Sequence, residues 1–271
     1  MLTRYLFFAL LLFSALMSAC APVGERLVGE PVSRAFADEL MLGWYESSAR
    51  VVSIQGLAKV KVKTPVNSLN GTQVLLAERP ASLRAEALSP FGSPLLLLAA
   101  EDGKLGVSLP SQNLFYTGAA TPENLGLFVH IPLQLTDLVG VLLYQPPIID
   151  AWREEAFAFQ DGGWLVKRHG TLHRQELVFN QLRQLVEVRY FEKNDLFIRI
   201  EYAKFLGPGD SFPHRFSLDI PEKGATINLE FSDLETNGDL RAGIFQLSPP
   251  PGAEVVYLPD VFLPEQSSTN E

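Results

Sequence analysis

Residues 52 to 63 alternate with a period of two. Val52, Ile54, Gly56, Ala58, Val60 and Val62 fall on one face, and Ser53, Gln55, Lys59, Lys61 and Lys63 on the other. An extended chain sends successive side chains to opposite faces, so this text predicts an antiparallel strand with one face in a core and one in water. Similar short bouts recur at 72–78, 82–88, 95–100, 105–109 and 114–117, and again at 156–160, 163–168, 172–180, 185–191, 196–205, 214–220 and 225–231. Turn-forming residues separate them, among them Ser89-Pro90-Phe91-Gly92-Ser93-Pro94, Glu101-Asp102-Gly103, Asp161-Gly162 and Lys193-Asn194-Asp195. Asn70-Gly71 reads as the turn of the first hairpin. Many short strands joined by tight turns predict a mainly β chain, with some α, in which one sheet curls on itself.

Helical text interrupts the strands in two places. Phe36, Leu40, Leu42, Trp44 and Tyr45 fall near helical spacing behind Ser33, a good N-cap, which predicts an amphipathic helix over 33–48. Thr121-Pro122-Glu123 places an N-cap ahead of a proline at the first helical position. A second helix is expected from Pro132 to Tyr144, apolar around most of its circumference and stopped by Pro146-Pro147.

The amino terminus carries different information. Arg4, the apolar run Tyr5–Met17 and the small residues Ser18-Ala19 have the form of an export signal. The run is short for a membrane span, which needs about 20 apolar residues. Leu16-Met17-Ser18-Ala19-Cys20 resembles a bacterial lipobox, which implies cleavage before Cys20 and acylation of that residue. Cys20 is the only cysteine, so acylation leaves no thiol and no disulfide, and a packed core alone must hold the fold. Ala21, in place of the aspartate that retains such proteins at the inner membrane, implies an outer-membrane, periplasm-facing location. The expected organisation is a signal peptide over 1–19, an acylated tether over 20–32, a folded domain over 33–255 and a polar, partly disordered tail over 256–271.

Charge and motif content exclude several functions. The 271 residues include 22 Lys and Arg against 31 Asp and Glu, net −9. Removing 1–19 takes away Arg4 alone, leaving 21 against 31, net −10. Nucleic-acid affinity rests largely on cationic neutralisation of phosphate, so no nucleic-acid partner is expected. There is no Gly-rich phosphate loop, no Gly-x-Ser-x-Gly and no nucleophile–base signature of a lipid hydrolase, so no enzyme is expected. His169 and His173 on one extended strand would stand about 13 Å apart, too far to share a zinc ion. Glu154 and Glu155 are adjacent and would point to opposite faces of a strand. No metal, cofactor or catalytic residue is predicted, apart from covalent acyl chains on Cys20.

Apolar excess remains to be explained. The chain is 47% hydrophobic, and Leu95-Leu96-Leu97-Leu98 is an unbroken leucine run in strand context. A sheet with an apolar concave face and an apolar helix over it either packs solid or leaves a hollow. Periodicity does not separate the two.

The segment Ser53–Pro147 resembles the LolA/LolB family of lipoprotein carriers and receptors. The resemblance rests on the helix 33–48 leading into Ile54-Gln55-Gly56, on Ser89-Pro90-Phe91-Gly92, on Ile131-Pro132-Leu133 running to Tyr144-Gln145-Pro146, and on Phe245-Gln246-Leu247-Ser248-Pro249 through Val255. It implies an incomplete antiparallel β-barrel, a half-barrel covered by helices, whose apolar cavity holds acyl chains. It also implies a role in lipoprotein or lipid reception at the outer membrane. The implied partners are acyl chains or acylated lipoproteins, a periplasmic LolA-like carrier, and the membrane through the lipid anchor. Phe91 takes the position that touches the membrane, and a large apolar residue at a turn tip is reasonable in an interface. Leu96, Leu98, Leu135, Leu138 and Leu142 are the expected cavity residues, with ordinary core as the competing reading. A scaffold or adaptor that uses the Pro-rich segment from Pro249 to Glu271 as its contact is the alternative function.

Overall fold

Pro65 ends the first long strand and so sets the register of everything around it. The computed structural model describes residues 27–130, 133–207 and 212–259. Strand β2 (Ser53–Lys63) turns at Thr64–Asn67 into β3 (Ser68–Glu78). The Thr64 amide donates to the Asn67 carbonyl at 2.8 Å, and the Thr64 hydroxyl accepts from the Asn67 amide at 3.0 Å. Asn70-Gly71, expected as the turn, lies inside β3, where Gly71 pairs with Val60. Proline cannot donate to a ladder, so the chain turns at Pro65 rather than at the later Asn-Gly.

The remaining strands are β1 (Val28–Pro31), β4 (Ser82–Leu88), β5 (Pro94–Glu101), β6 (Lys104–Leu109), β7 (Leu114–Ala119), β8 (Arg153–Phe159), β9 (Trp164–His169), β10 (His173–Phe179), β11 (Leu185–Glu192), β12 (Asp195–Ala203), β13 (Arg215–Ile220), β14 (Ala225–Thr236) and β15 (Glu254–Tyr257). They form one sheet in the order β1-β8-β9-β10-β11-β12-β13-β14-β2-β3-β4-β5-β6-β7-β15. Neighbours are antiparallel except β15, which runs parallel to β7. The join between the two halves is the long β14–β2 pairing, with a bulge between Phe231 and Asp233. Gly56 sits against that bulge, where a Cβ would come within 2.3 Å of the Asp233 carbonyl oxygen. The sheet curls into an open half-barrel and helices cover its concave face, as expected from the sequence.

Two strands fall where none was expected. β1 occupies the end of the stretch read as a tether, and β15 crosses the expected boundary at 255. The segment after β14 reaches β15 over the convex face: Arg84 donates to the Ile244 carbonyl at 2.7 Å, Phe245 is buried, and Leu247 covers Gly106. Cys20 and the expected signal, together with residues 260–271 of the expected tail, lie outside the described residues, as do Ile131 and Pro132 of the family-like motif.

Among the described residues, three α-helices close the concave side. Ser33 accepts the Phe36 amide at 3.3 Å and caps α1 (Arg34–Ala49). Its buried stripe is Ala37, Leu40, Trp44 and Ser48, while Leu42 and Tyr45 are exposed. Thr121 caps α2 (Pro122–Val129) through the Asn124 amide at 3.2 Å. Asn124 is fully buried, and its side-chain amide donates to the Ala119 and Pro259 carbonyls, each at 2.9 Å, tying α2 to the end of β7 and to the chain beyond β15. Helix α3 spans Leu135–Leu142, shorter than the expected Pro132–Tyr144. It ends in a Schellman motif: Gln145 donates to the Gly140 carbonyl at 2.7 Å and Tyr144 to the Val141 carbonyl at 3.2 Å. Tyr144 takes the left-handed position, φ 62°, that glycine usually fills.

Candidate functional site

The concave face is filled in one half and hollow in the other. Under α1 the filling is aromatic. The Tyr144 ring lies 4.9 Å from Tyr202, 5.9 Å from Phe205, 6.2 Å from Phe212 and 6.5 Å from Trp44, mostly edge-on. Tyr202 in turn meets Phe216 at 5.5 Å, and Phe216 meets Phe231 at 6.0 Å. Burial pushes the Tyr144 and Tyr202 phenols well above the ordinary tyrosine range, so both stay protonated.

Beyond Phe216 the space opens into a cavity of about 850 Å³, within the range of small-molecule sites. Its walls are the inward positions of β2–β5 and of β12–β14, roofed by Phe128 at the end of α2 and by Leu138, Val141 and Leu142 of α3. The register explains the hollow. Gly71 stands opposite Val60, and a Cβ on Gly71 would meet nothing within 4 Å. In the next rows Ala87 lies between Gln73 and Leu96, and Ala85 between Leu75 and Leu98. Three small residues thus stand in successive rows of the wall, from exposed Gly71 near the mouth to buried Ala85, where close packing calls for large ones.

Of the residues expected at a cavity, Leu96, Leu98, Leu138 and Leu142 line it. Leu135 does not. It is 5% exposed and packs in the core, although Leu133 before it and Leu138 after it both reach the hollow. The leucine run divides as strand geometry requires, Leu96 and Leu98 inward and Leu97 outward. Gly71, Ala85, Ala87 and the polar Gln73 were not anticipated. The recurrence of alanine at the inward positions of 82–88 was the available signal, and reading Asn70-Gly71 as a turn concealed the third small residue.

Phe91 is 96% exposed. Its turn is a β-turn with Ser89 at the first position and Pro90 at the second: the Gly92 amide donates to the Ser89 carbonyl at 2.9 Å and the Ser93 amide to the Ser89 hydroxyl at 3.1 Å. Gly92 takes a positive φ of 81°. Ser89 and Pro90 border the cavity, so the Phe91 tip stands at its mouth. Leu69, Leu95 and Leu127, also at the border, are exposed there. Asn70, Thr72 and His130 supply a sparse polar margin.

Among the described residues no catalytic arrangement lines the hollow. Glu154 pairs with Arg168, while Glu155 faces the other way to Arg153 and His169. His169 ends β9 and His173 begins β10, and no group of three metal-ligating side chains occurs among the described residues. No described helix is long and apolar enough to cross a membrane. The segment from Pro249, offered above as a free contact, is laid on its own sheet through Pro259: Glu254 donates to the Asn113 carbonyl at 2.9 Å and β15 pairs with β7.

No family model and no curated protein matches the sequence. Solved structures do match. A DUF1329 family protein from Desulfovibrio piger aligns over 78% of this chain and 96% of its own, at TM-score 0.50 and 13% identity. A putative outer membrane lipoprotein-sorting protein domain from Vibrio parahaemolyticus aligns over 77% and 97%, at TM-score 0.48 and 13% identity. A LolA superfamily protein from Nitrosomonas europaea aligns over 78% and 97%, at TM-score 0.46 and 14% identity. At these identities the first of them shares a fold with this chain, a curled sheet with helices over its concave face.

Proposed function

We propose that this protein is an acylated outer-membrane lipoprotein whose cavity receives acyl chains of a lipid or a lipoprotein and passes them to the membrane without making or breaking bonds. One observation carries the reading: an apolar hollow of about 850 Å³, left open by Gly71, Ala85 and Ala87, with an exposed Phe91 at its mouth. The family resemblance of the Ser89–Gly92 turn and of the segments around it agrees with that reading.

The physics is one of transfer. Each methylene removed from water gains ~0.8 kcal/mol, so a chain of about sixteen carbons gains on the order of 12 kcal/mol. An acyl chain therefore crosses water only under cover. A wall of valine, leucine and phenylalanine supplies that cover with no directional bond to break on release. Delivery by a periplasmic carrier and onward movement to a bilayer then follow the relative affinities at each step. Phe91 serves as the membrane contact, and Cys20 with its acyl chains as the anchor.

The test is titration of the purified chain with a fluorescent fatty acid. Saturable uptake with a Kd on the order of micromolar, competed by unlabelled fatty acid, is expected. Absence of uptake would overturn the proposal.

A further inference from the structure

The antiparallel strands from β8 to β7 place their turns on two rims. The registers put the start of β8 and the β9–β10, β11–β12, β13–β14, β2–β3 and β4–β5 turns on the same rim, the one that carries the cavity mouth. Phe91 stands on the β4–β5 turn. Seven strands back from β4 to β10, and nine to β8, about 35–45 Å along the curved sheet at the usual strand spacing, the same rim carries Leu172 and Trp152, 72% and 71% exposed.

Trp152 is held rather than loose. Its backbone amide donates to the His169 carbonyl at 3.0 Å and its indole N–H to the Gly170 carbonyl at 3.2 Å. The chain leading to it is strapped to the inner face of the sheet. Gln175, fully buried, donates to the Pro147 carbonyl at 2.8 Å and accepts the Ile149 amide at 3.2 Å, and the Tyr190 hydroxyl donates to Pro147 at 2.7 Å. A large aromatic face is therefore fixed toward water with its ordering entropy already spent.

We infer that Trp152 and Leu172 form a second apolar contact of the mouth-bearing rim with a lipid bilayer surface, across the rim from Phe91. An extended flat surface meets rigid tips seven to nine strands apart along one rim; a peptide groove does not. Tryptophan with a satisfied N–H suits the headgroup boundary. The turns between the tips carry Glu192, Lys193 and Asp195, then Glu222 and Lys223, then Lys63, equal numbers of each sign, so the contact is apolar rather than electrostatic. The inference deepens the transfer reading above and rests on it for its purpose: two contacts hold the mouth square to the membrane.

The experiment uses the full chain with vesicles of phosphatidylcholine brominated on its acyl chains. Trp44 is buried and Trp164 half-buried against Phe36, so Trp152 is the tryptophan that a bilayer surface can reach. Bromolipid is expected to quench its emission and vesicles to shield it from iodide, with both effects lost in Trp152→Phe. The double variant Trp152→Ser, Leu172→Ser is expected to lower vesicle association about tenfold, while Leu182→Ser, exposed on the opposite rim, leaves it unchanged. Fatty-acid uptake by the double variant stays at the wild-type level. No vesicle association, or a vesicle-bound chain whose Trp152 remains open to iodide, as it would if a protein covers this patch, overturns the inference. Failure of fatty-acid uptake in the wild type overturns the transfer reading and leaves the vesicle result to stand by itself.

Discussion

The Tyr144 hydroxyl donates to the Leu185 carbonyl at 2.9 Å, joining the end of α3 to the start of β11. The bond explains why a tyrosine holds the left-handed position that closes the helix. The strain of that backbone, about 1 kcal/mol, is offset by a ring packed among Trp44, Tyr202, Phe205 and Phe212 and by a hydroxyl whose partner has no other access to water. Tyr144 thereby centres the aromatic packing, whose Phe216 reaches the cavity wall.

Substitution of Tyr144 is expected to act on stability in two steps. Tyr144→Phe leaves the Leu185 carbonyl unpaired and costs about 1–2 kcal/mol. Tyr144→Ala adds the cavity and costs about 3–5 kcal/mol. Urea denaturation of the two variants measures both, and equal midpoints would show that the ring contributes nothing beyond its hydroxyl.

Filling the hollow is expected to separate function from folding. Ala85→Phe and Gly71→Phe add side chains where the wall is thin, so fatty-acid uptake falls at least about tenfold while the melting temperature holds or rises. Parallel binding and thermal melts decide it. Undiminished uptake in both variants would place the lipid elsewhere.

Phe91 touches almost nothing in its own chain. Phe91→Ser is expected to change stability by less than about 0.5 kcal/mol and to leave fatty-acid uptake intact, yet to slow transfer of bound probe into vesicles. A stopped-flow transfer assay with wild type alongside reads this directly.

Asn124→Ala removes both side-chain bonds from α2 to Ala119 and Pro259. The expected loss is about 1–3 kcal/mol, concentrated at the parallel strand. Hydrogen exchange at Val255–Tyr257 should accelerate before exchange in β2 or β14 does.

Glu187 gives a pH signature. Burial raises its carboxyl above the ordinary range, the nearby Arg189 and Arg199 opposing this only in part. A folded-state pKa above the unfolded one favours the folded state while the group is protonated, and that contribution is lost as pH rises through the folded value. Glu187→Gln is expected to melt higher than wild type near neutral pH, with the difference closing toward about pH 4. Melts across that span check the sign.

The strands were legible because alternation is a local property: Val60 and Val62 face inward wherever the sheet goes. The caps at Ser33 and Thr121 were legible for the same reason. Asn70-Gly71 misled because turn propensity is also local, while the actual turn was decided by Pro65 five residues earlier. β15 carries only Glu254-Val255-Val256-Tyr257 and pairs with β7 across more than a hundred residues, so its strand character comes from a partner that periodicity does not reveal. The hollow is a property of rows across strands. Ala85, Ala87 and Gly71 become one feature only when the register sets them side by side.

The outermost described strands, β1 and β15, are four residues each, and β1 contains a proline. On the proposed acyl anchor the protein would sit at high surface density, where a long unpaired margin would recruit the next copy strand by strand. Margins this brief offer too few amide partners to start such a stack, so crowding on a membrane need not become polymerisation.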